Sequence, residues 1–277
     1  MSARPSALKL LWHQAVYEWR TFIRTPVSAF FTIVFPLLIF VVFALIFGNE
    51  EIEYLRINTA QYYAPSLAVY AAVAASYVNI GIGTAYQRDE GILKRARGTP
   101  EPPWIFLGGK VIAATVIAAI GTVLMLTVGA VFFGVQIYVE AIPALILTFF
   151  VGVGCFAALG LLVAAVSPSG NAATAIANAT LLPLAFISGV FIVPGENMPG
   201  WLEAIADFFP LSHFASAFLA GFSPIGDVST IHWADLAYMA VWGVVGLFLA
   251  IRLFRWEADT GDSSPPWRRK REPAKAA

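Results

Sequence analysis

The chain has 277 residues, 59% of them hydrophobic and only 12% charged, where a soluble globular domain has about 45–50% apolar and about 25% charged residues. Seventeen Lys and Arg balance seventeen Asp and Glu, so no net basic charge points to nucleic acid. The single cysteine, Cys155, excludes an internal disulfide framework, and three histidines leave little for a metal centre. With a strongly positive mean hydropathy, this is the composition of an integral membrane protein.

In chain order, the first pattern is a short amphipathic helix. Leu8, Trp12, Ala15, Trp19 and Phe22 form one helical stripe, and Lys9, His13, Arg20 and Arg24 cluster on a broadly opposite face. Such a helix lies in a membrane interface, apolar side in lipid and basic side toward anionic headgroups. Residues 1–26 are therefore read as an interfacial elbow, ended by Pro26. The apolar run that follows reaches Phe47-Gly48-Asn49-Glu50 without a small-x-small cleavage site, and reads as an uncleaved span rather than a signal peptide.

Six apolar runs are long enough to cross a bilayer, at 28–47, 64–86, 105–133, 141–166, 171–193 and 233–254. They are too long for the alternating strands of a barrel. The fold class is all-α integral membrane, with a six-span domain over 27–256 and a polar, disordered tail over 257–277. An even number of spans puts both termini on one side. With the termini cytoplasmic, sixteen of the seventeen Lys and Arg fall inside, leaving Arg56 outside with nine of the acids. Tyr62, Tyr63, Tyr138 and Trp233 outside, and Tyr86, Trp104 and Trp256 inside, fit the interfacial aromatic belts.

No acidic, Lys or His cluster sits mid-span, which argues against a proton relay, voltage sensor or ion-coupled carrier. Lys110 and Asp235 lie near span ends, where snorkelling or solvation suffices. The interior is neutral and polar instead. Ser76, Asn79 and Gly83 in the second span, and Asn171, Thr174 and Asn178 in the fifth with Ser188 above them, recur at helical spacing. Such stripes serve helix packing or line a path for an amphipathic substrate.

Two connections stand out. The inner loop reads Gln87-Arg88-Asp89-Glu90-Gly91-Ile92-Leu93-Lys94-Arg95-Ala96-Arg97-Gly98-Thr99-Pro100, the most polar internal segment, whereas the next inner connection, Ser167 to Gly170, is a tight turn. Any cytoplasmic docking falls on the first. Before the last span, Trp201, Leu202, Ile205, Phe208 and Phe209 form the apolar face of a short helix flanked by Glu203 and Asp207, as in an outer re-entrant hairpin. Catalytic motifs are missing. Phe186-Ile187-Ser188-Gly189 lacks the first glycine of a rhomboid-like nucleophile, and Gly108-Gly109-Lys110-Val111 lacks the spacing and following Ser/Thr of a P-loop. A membrane-embedded lipid enzyme would have only His213 and Asp207 as outer candidates.

The stretch Glu90 to Pro100 followed by Gly109-Lys110, and Met198-Pro199-x-Trp201-Leu202 followed by Phe209-Pro210-Leu211-Ser212-His213, resemble the membrane subunits of type-2 ABC exporters. That family includes daunorubicin-resistance and polysaccharide-export permeases, and the resemblance spans Leu10 to about Arg255. It implies an exporter of an amphipathic small molecule or lipid, with a lipid-linked polysaccharide as the alternative cargo. It implies a permease dimer, homodimeric or heterodimeric, in a prokaryotic plasma membrane. It also implies a separate ATPase subunit that holds ATP and Mg, so this chain binds no cofactor itself. By the same resemblance Arg88, Asp89, Glu90, Gly91, Lys94, Arg95 and Arg97 form the coupling helix. Ser76, Asn79, Asn171, Thr174, Asn178 and Ser188 become path or dimer-interface candidates, and Pro199, Trp201, Phe209, Pro210 and His213 the outer hairpin. The family's fused nucleotide-binding domain and large outer domain are not expected here.

Overall fold

The computed structural model describes residues 6–47, 50–52, 55–98, 102–193, 199–223 and 227–254. Ten helices account for nearly all of them: α1 (Ala7–Ile23), α2 (Pro26–Phe47), α3 (Thr59–Asp89), α4 (Ile92–Arg97), α5 (Pro103–Phe133), α6 (Ile142–Val166), α7 (Gly170–Ile187), α8 (Gly200–Phe208), α9 (Pro210–Ala220) and α10 (Trp233–Leu253). A two-residue-per-strand hairpin, β1 (Glu51–Ile52) against β2 (Ile57–Asn58), joins α2 to α3. The six long helices are α2, α3, α5, α6, α7 and α10, each apolar and long enough to span a bilayer, so the chain is a multi-pass membrane protein.

Thr99 and Pro100 of the inner-loop motif, Met198 of the outer motif, Trp256 and the tail over 257–277 lie outside the described residues, as does the side chain of Arg97.

The bundle is built around α3, which packs against α2, α5, α6, α7 and α9. Almost every residue from Thr59 to Tyr77 is buried, among them Tyr62, Leu67, Val69 and Val73. By contrast α2 and α10 are mostly exposed and carry Val42, Leu45 and Ile46, and Val241, Val244, Phe248 and Ile251, on their outer faces. In lipid these residues face hydrocarbon, whereas α3 meets mostly protein. This is why α3 tolerates the polar and small residues that make it less hydropathic than α2, α5, α6 and α10. Gly160 of α6 sits so close to α3 that a Cβ there would fall 2.7 Å from the Tyr77 carbonyl oxygen.

Two spans contain a single π-helical turn, Phe30–Val34 in α2 and Ala74–Val78 in α3. They are bridged where Asn79 Nδ2 donates to Thr32 Oγ1 at 3.0 Å.

Several boundaries and roles differ from the sequence-based expectation. The second span extends from 64–86 to Thr59–Asp89, because the polar Thr59, Gln61 and Arg88 at its ends are buried against other helix connections. The fifth stops at Ile187, not near residue 193, where Gly189 takes φ 75° and turns the chain. Tyr62 is not an interfacial belt aromatic; it is 1% exposed and donates to the Gly189 carbonyl at 2.5 Å. Lys110 does not snorkel: it is 5% exposed and its Nζ lies 3.2 Å from Glu18 Oε2 on α1.

Removing the Gln61 amide isolates one consequence of this architecture. Gln61 Nε2 donates to the carbonyls of Gln136 and Phe222, both at 2.9 Å, and its Oε1 accepts from the Gln136 amide at 2.7 Å. Gln61→Leu strands those backbone groups, each worth about 1–3 kcal/mol when buried and unpaired. Denaturant titration in detergent should show a lower unfolding midpoint for Gln61→Leu than for the peripheral Tyr138→Phe.

Candidate functional site

Arg88, Lys110 and Arg252 mark one end of the bundle, termed here the basic end, and Asp235 with Glu50, Glu51, Glu140, Glu203, Asp207 and Asp227 of the connections and α8 marks the other, the acidic end. At the basic end, α3 finishes with Tyr86, Arg88 and Asp89 beside the turn that joins α6 to α7. Arg88 is 4% exposed. Its Nη1 donates to the Ala164 carbonyl at 2.9 Å and its Nη2 to the Ser167 carbonyl at 2.6 Å. Those oxygens are orphan acceptors at the C-terminus of α6, where a cation also meets the negative end of the helix dipole.

One residue later the charge reverses to match the opposite dipole. Asp89 Oδ2 accepts from the Gly170 amide at 2.6 Å, at the positive N-terminus of α7. Ser169 caps the same helix, accepting from the Ala172 amide at 3.2 Å. Tyr86 donates to Asn171 Oδ1 at 2.7 Å. Only glycine fits at position 170, because a Cβ there would lie 2.6 Å from the Tyr86 ring. Consecutive residues of α3 thus hold both helix ends of one turn.

Beyond this grip Gly91 takes φ 71° and α4 begins. Leu93 is fully buried and fixes α4 to the bundle, while Glu90, Lys94 and Arg95 are exposed. Arg95 folds back on the turn, its Nη2 donating to the Glu90 carbonyl at 3.2 Å. The candidate coupling residues therefore divide. Arg88 and Asp89 belong to the last turn of α3 and bind inward, whereas Glu90, Lys94 and Arg95 offer an outward surface. Arg88, expected in the coupling helix, is buried against two carbonyls at the end of α3 and forms no part of the outward surface.

The polar stripes separate as well. Ser76 is buried and donates to Ala72 within its own helix at 2.7 Å. Asn79 turns to Thr32, Asn171 to Tyr86, and Thr174 to the Gly170 carbonyl at 2.9 Å. Two remain without a partner among the described residues: the buried hydroxyl of Ser188 and the exposed amide of Asn178 on α7.

At the acidic end α8 and α9 follow one another directly. Pro199 precedes α8, Trp201 is exposed, Phe209 links the two helices and the buried Pro210 opens α9. Pro210, Leu211, Phe214 and Phe218 carry α9 into the bundle between α3, α6 and α10. His213 pins the pair to α10. Its Nδ1 lies 2.6 Å from Asp235 Oδ1, its Nε2 lies 2.9 Å from the Asp207 carbonyl, and its ring stacks 4.1 Å from that of Tyr238. Tyr238 in turn donates to the Phe208 carbonyl at 2.8 Å. Both imidazole nitrogens are engaged in holding helices together, which leaves neither for acid–base work on a substrate. In the neighbouring loop, the Ser229 hydroxyl and amide donate to Asp227 and hold its carboxyl below the usual carboxylate range.

Residues 9–223 match the ABC-2 type transporter family. The chain belongs to that family. Its relatives include a daunorubicin resistance ABC transporter permease protein, DrrB1, of Streptomyces coeruleorubidus, 29% identical over 91% of this chain and 89% of that protein. A putative transport permease, YvfS, of Bacillus subtilis (strain 168) is 25% identical over 76% of this chain and 84% of its own length. The ABC-2 chain described here is thus the membrane component of a transporter and not itself an enzyme. Membership implies in general terms an ABC ATPase partner and a second permease.

Sequence reasoning passed over Gln61, Glu18 and the buried role of Arg88. A signal for the last was present: Arg88-Asp89 are adjacent opposite charges at a span end, matched to the opposite ends of two other helices. Arg88→Met should lower stability by about 1.5–3 kcal/mol for each charge-assisted bond lost. Arg88→Lys, a point charge without the planar fork, should recover only part of that loss. Unfolding free energies in detergent distinguish the two; equal stability of all three proteins would remove the clamp.

Proposed function

We propose that this ABC-2 permease exports an amphipathic small molecule, working as a dimer driven by a separate ATPase at its basic end. The observation that carries this reading is family membership across most of the chain, joined to a relative named for daunorubicin resistance over nearly its whole length. Sixteen of the seventeen basic residues lie on the inner side in this topology, which puts both termini and α4 in the cytoplasm.

In this reading α1 is the elbow, α4 the coupling helix and α8–α9 the re-entrant cap of the outer face. The ATPase, which holds ATP and Mg, docks on the exposed Glu90, Lys94 and Arg95 surface. Leu93 makes α4 move with the bundle, and Gly91 joins it to α3. Arg88 and Asp89 then pass the displacement to the α6–α7 turn, so that ATP closure tilts α3, α6 and α7 together and alternates access to the path. A ligand-driven switch of this kind needs differential contacts in the two states, and the ATPase supplies them.

The exposed Asn178 amide supports the dimer. An amide facing lipid is costly, and a second α7 satisfies it. Ser188, whose buried hydroxyl has no partner in one chain, lies on the same helix's outer end and lines the path in this reading.

Co-reconstitution with the ATPase into liposomes tests the coupling. Lys94→Glu combined with Arg95→Glu should reduce ATP-driven daunorubicin movement at least tenfold and lower ATPase co-purification, while the unfolding midpoint stays at the wild-type value. Asn178→Cys should cross-link into dimers in membranes. Full transport by the charge-reversed protein contradicts the coupling surface, and monomeric Asn178→Cys contradicts the α7 interface.

A further inference from the structure

A groove of about 460 Å³ lies between the N-terminal half of α1 and the start of α5, lined by Ser6, Leu8, Lys9, Leu11, Trp12 and Ile112. This is within the about 300–1,000 Å³ of small-molecule sites. Its walls are apolar, and Lys9 at its edge is exposed.

The groove is held open by a rigid joint one turn away. Gly109 gives α1 its close approach to α5: a Cβ there would fall 3.1 Å from the Ala15 backbone nitrogen and inside the Gln14 side chain. Lys110 follows, paired with Glu18 at 3.2 Å, and Gln14 Nε2 donates to Glu18 Oε1 at 3.0 Å. Lys110 and Glu18 neutralise each other, and Glu18 is the sole acid on α1. The charge left on that helix is the exposed Lys9 and Arg20, with Arg24 at its C-cap.

The depth of the groove is also fixed. Ile112 is eight residues beyond Trp104, about 12 Å along the helix at 1.5 Å per residue. Trp104 and Trp12 are 53% and 65% exposed, as aromatics at a headgroup boundary are. Leu8 is 78% exposed.

We propose that this groove is a binding site for one anionic phospholipid, an acyl chain lying on Leu8, Leu11, Trp12 and Ile112 with the phosphate on Lys9. Bulk interfacial attraction would place many lipids loosely along the α1 basic face; the groove instead takes one molecule and joins α1 to the third span through it. The apolar walls select a lipid over a free phosphate, and the uncompensated lysine selects an anionic headgroup over a zwitterionic one. This site is separate from the transport path, and the inference does not depend on export or on which end faces the cytoplasm.

Native mass spectrometry of the purified full chain in detergent decides the matter, using phosphatidylglycerol and phosphatidylcholine with the same acyl chains. The expected result is one phosphatidylglycerol retained per permease, at least tenfold over phosphatidylcholine. That adduct should be lost at least tenfold in Lys9→Glu, an exposed substitution, and in Ile112→Trp, which fills the groove. Equal retention of the two lipids, or persistence of the phosphatidylglycerol adduct in either variant, overturns the proposal.

Discussion

The polar ends of α3 are what the rest of the bundle depends on. Connections between membrane helices carry backbone carbonyls and amides that hydrocarbon does not solvate. At the acidic end Gln61, Tyr62 and Tyr63 satisfy backbone groups of Gln136, Phe222, Gly189 and Phe191. At the basic end Tyr86, Arg88 and Asp89 do the same for the turn between α6 and α7. One helix therefore closes three connections at its start and one at its finish. This requires it to be central, which in turn requires it to be buried.

That arrangement gives the transporter a stiff axis. Gly91, two residues beyond Asp89, joins α4 to α3, and the Arg88–Asp89 clamp grips two other spans by their opposite dipole ends. The α8–α9 pair at the far end is tied separately, through His213 to Asp235 and Tyr238 to the Phe208 carbonyl. The basic end is thus locked from α3, and the acidic end from both α3 and α10.

Much of this was legible in the sequence, for a physical reason. Lipid-facing helices must be apolar throughout, so α2, α5 and α10 announce themselves by composition. Charge bias and Pro26 likewise mark α1 and its end. The interior was less legible, since the helix that meets mostly protein obeys packing and hydrogen-bonding rules that depend on its neighbours. Tyr62 has the composition of a belt residue, and only the approach of Gly189 shows that it is not. Lys110 has the composition of a snorkelling residue until Glu18, 92 positions away, is placed beside it. Arg88 sits in a basic loop by sequence, and because the Ser167–Gly170 turn that captures it carries no charge, the adjacent Asp89 is the one hint of the pairing.

Hydrogen exchange read by mass spectrometry tests the central role of α3 most directly, comparing the wild-type chain with Arg88→Met and Gln61→Leu in the same detergent. The account predicts local and opposite effects: faster exchange across 163–171 in Arg88→Met with 189–191 unchanged, and faster exchange near Gln136 and Phe222 in Gln61→Leu with 163–171 unchanged. Wild-type exchange at both ends in both variants, or the same uniform loss of protection in each, would contradict it.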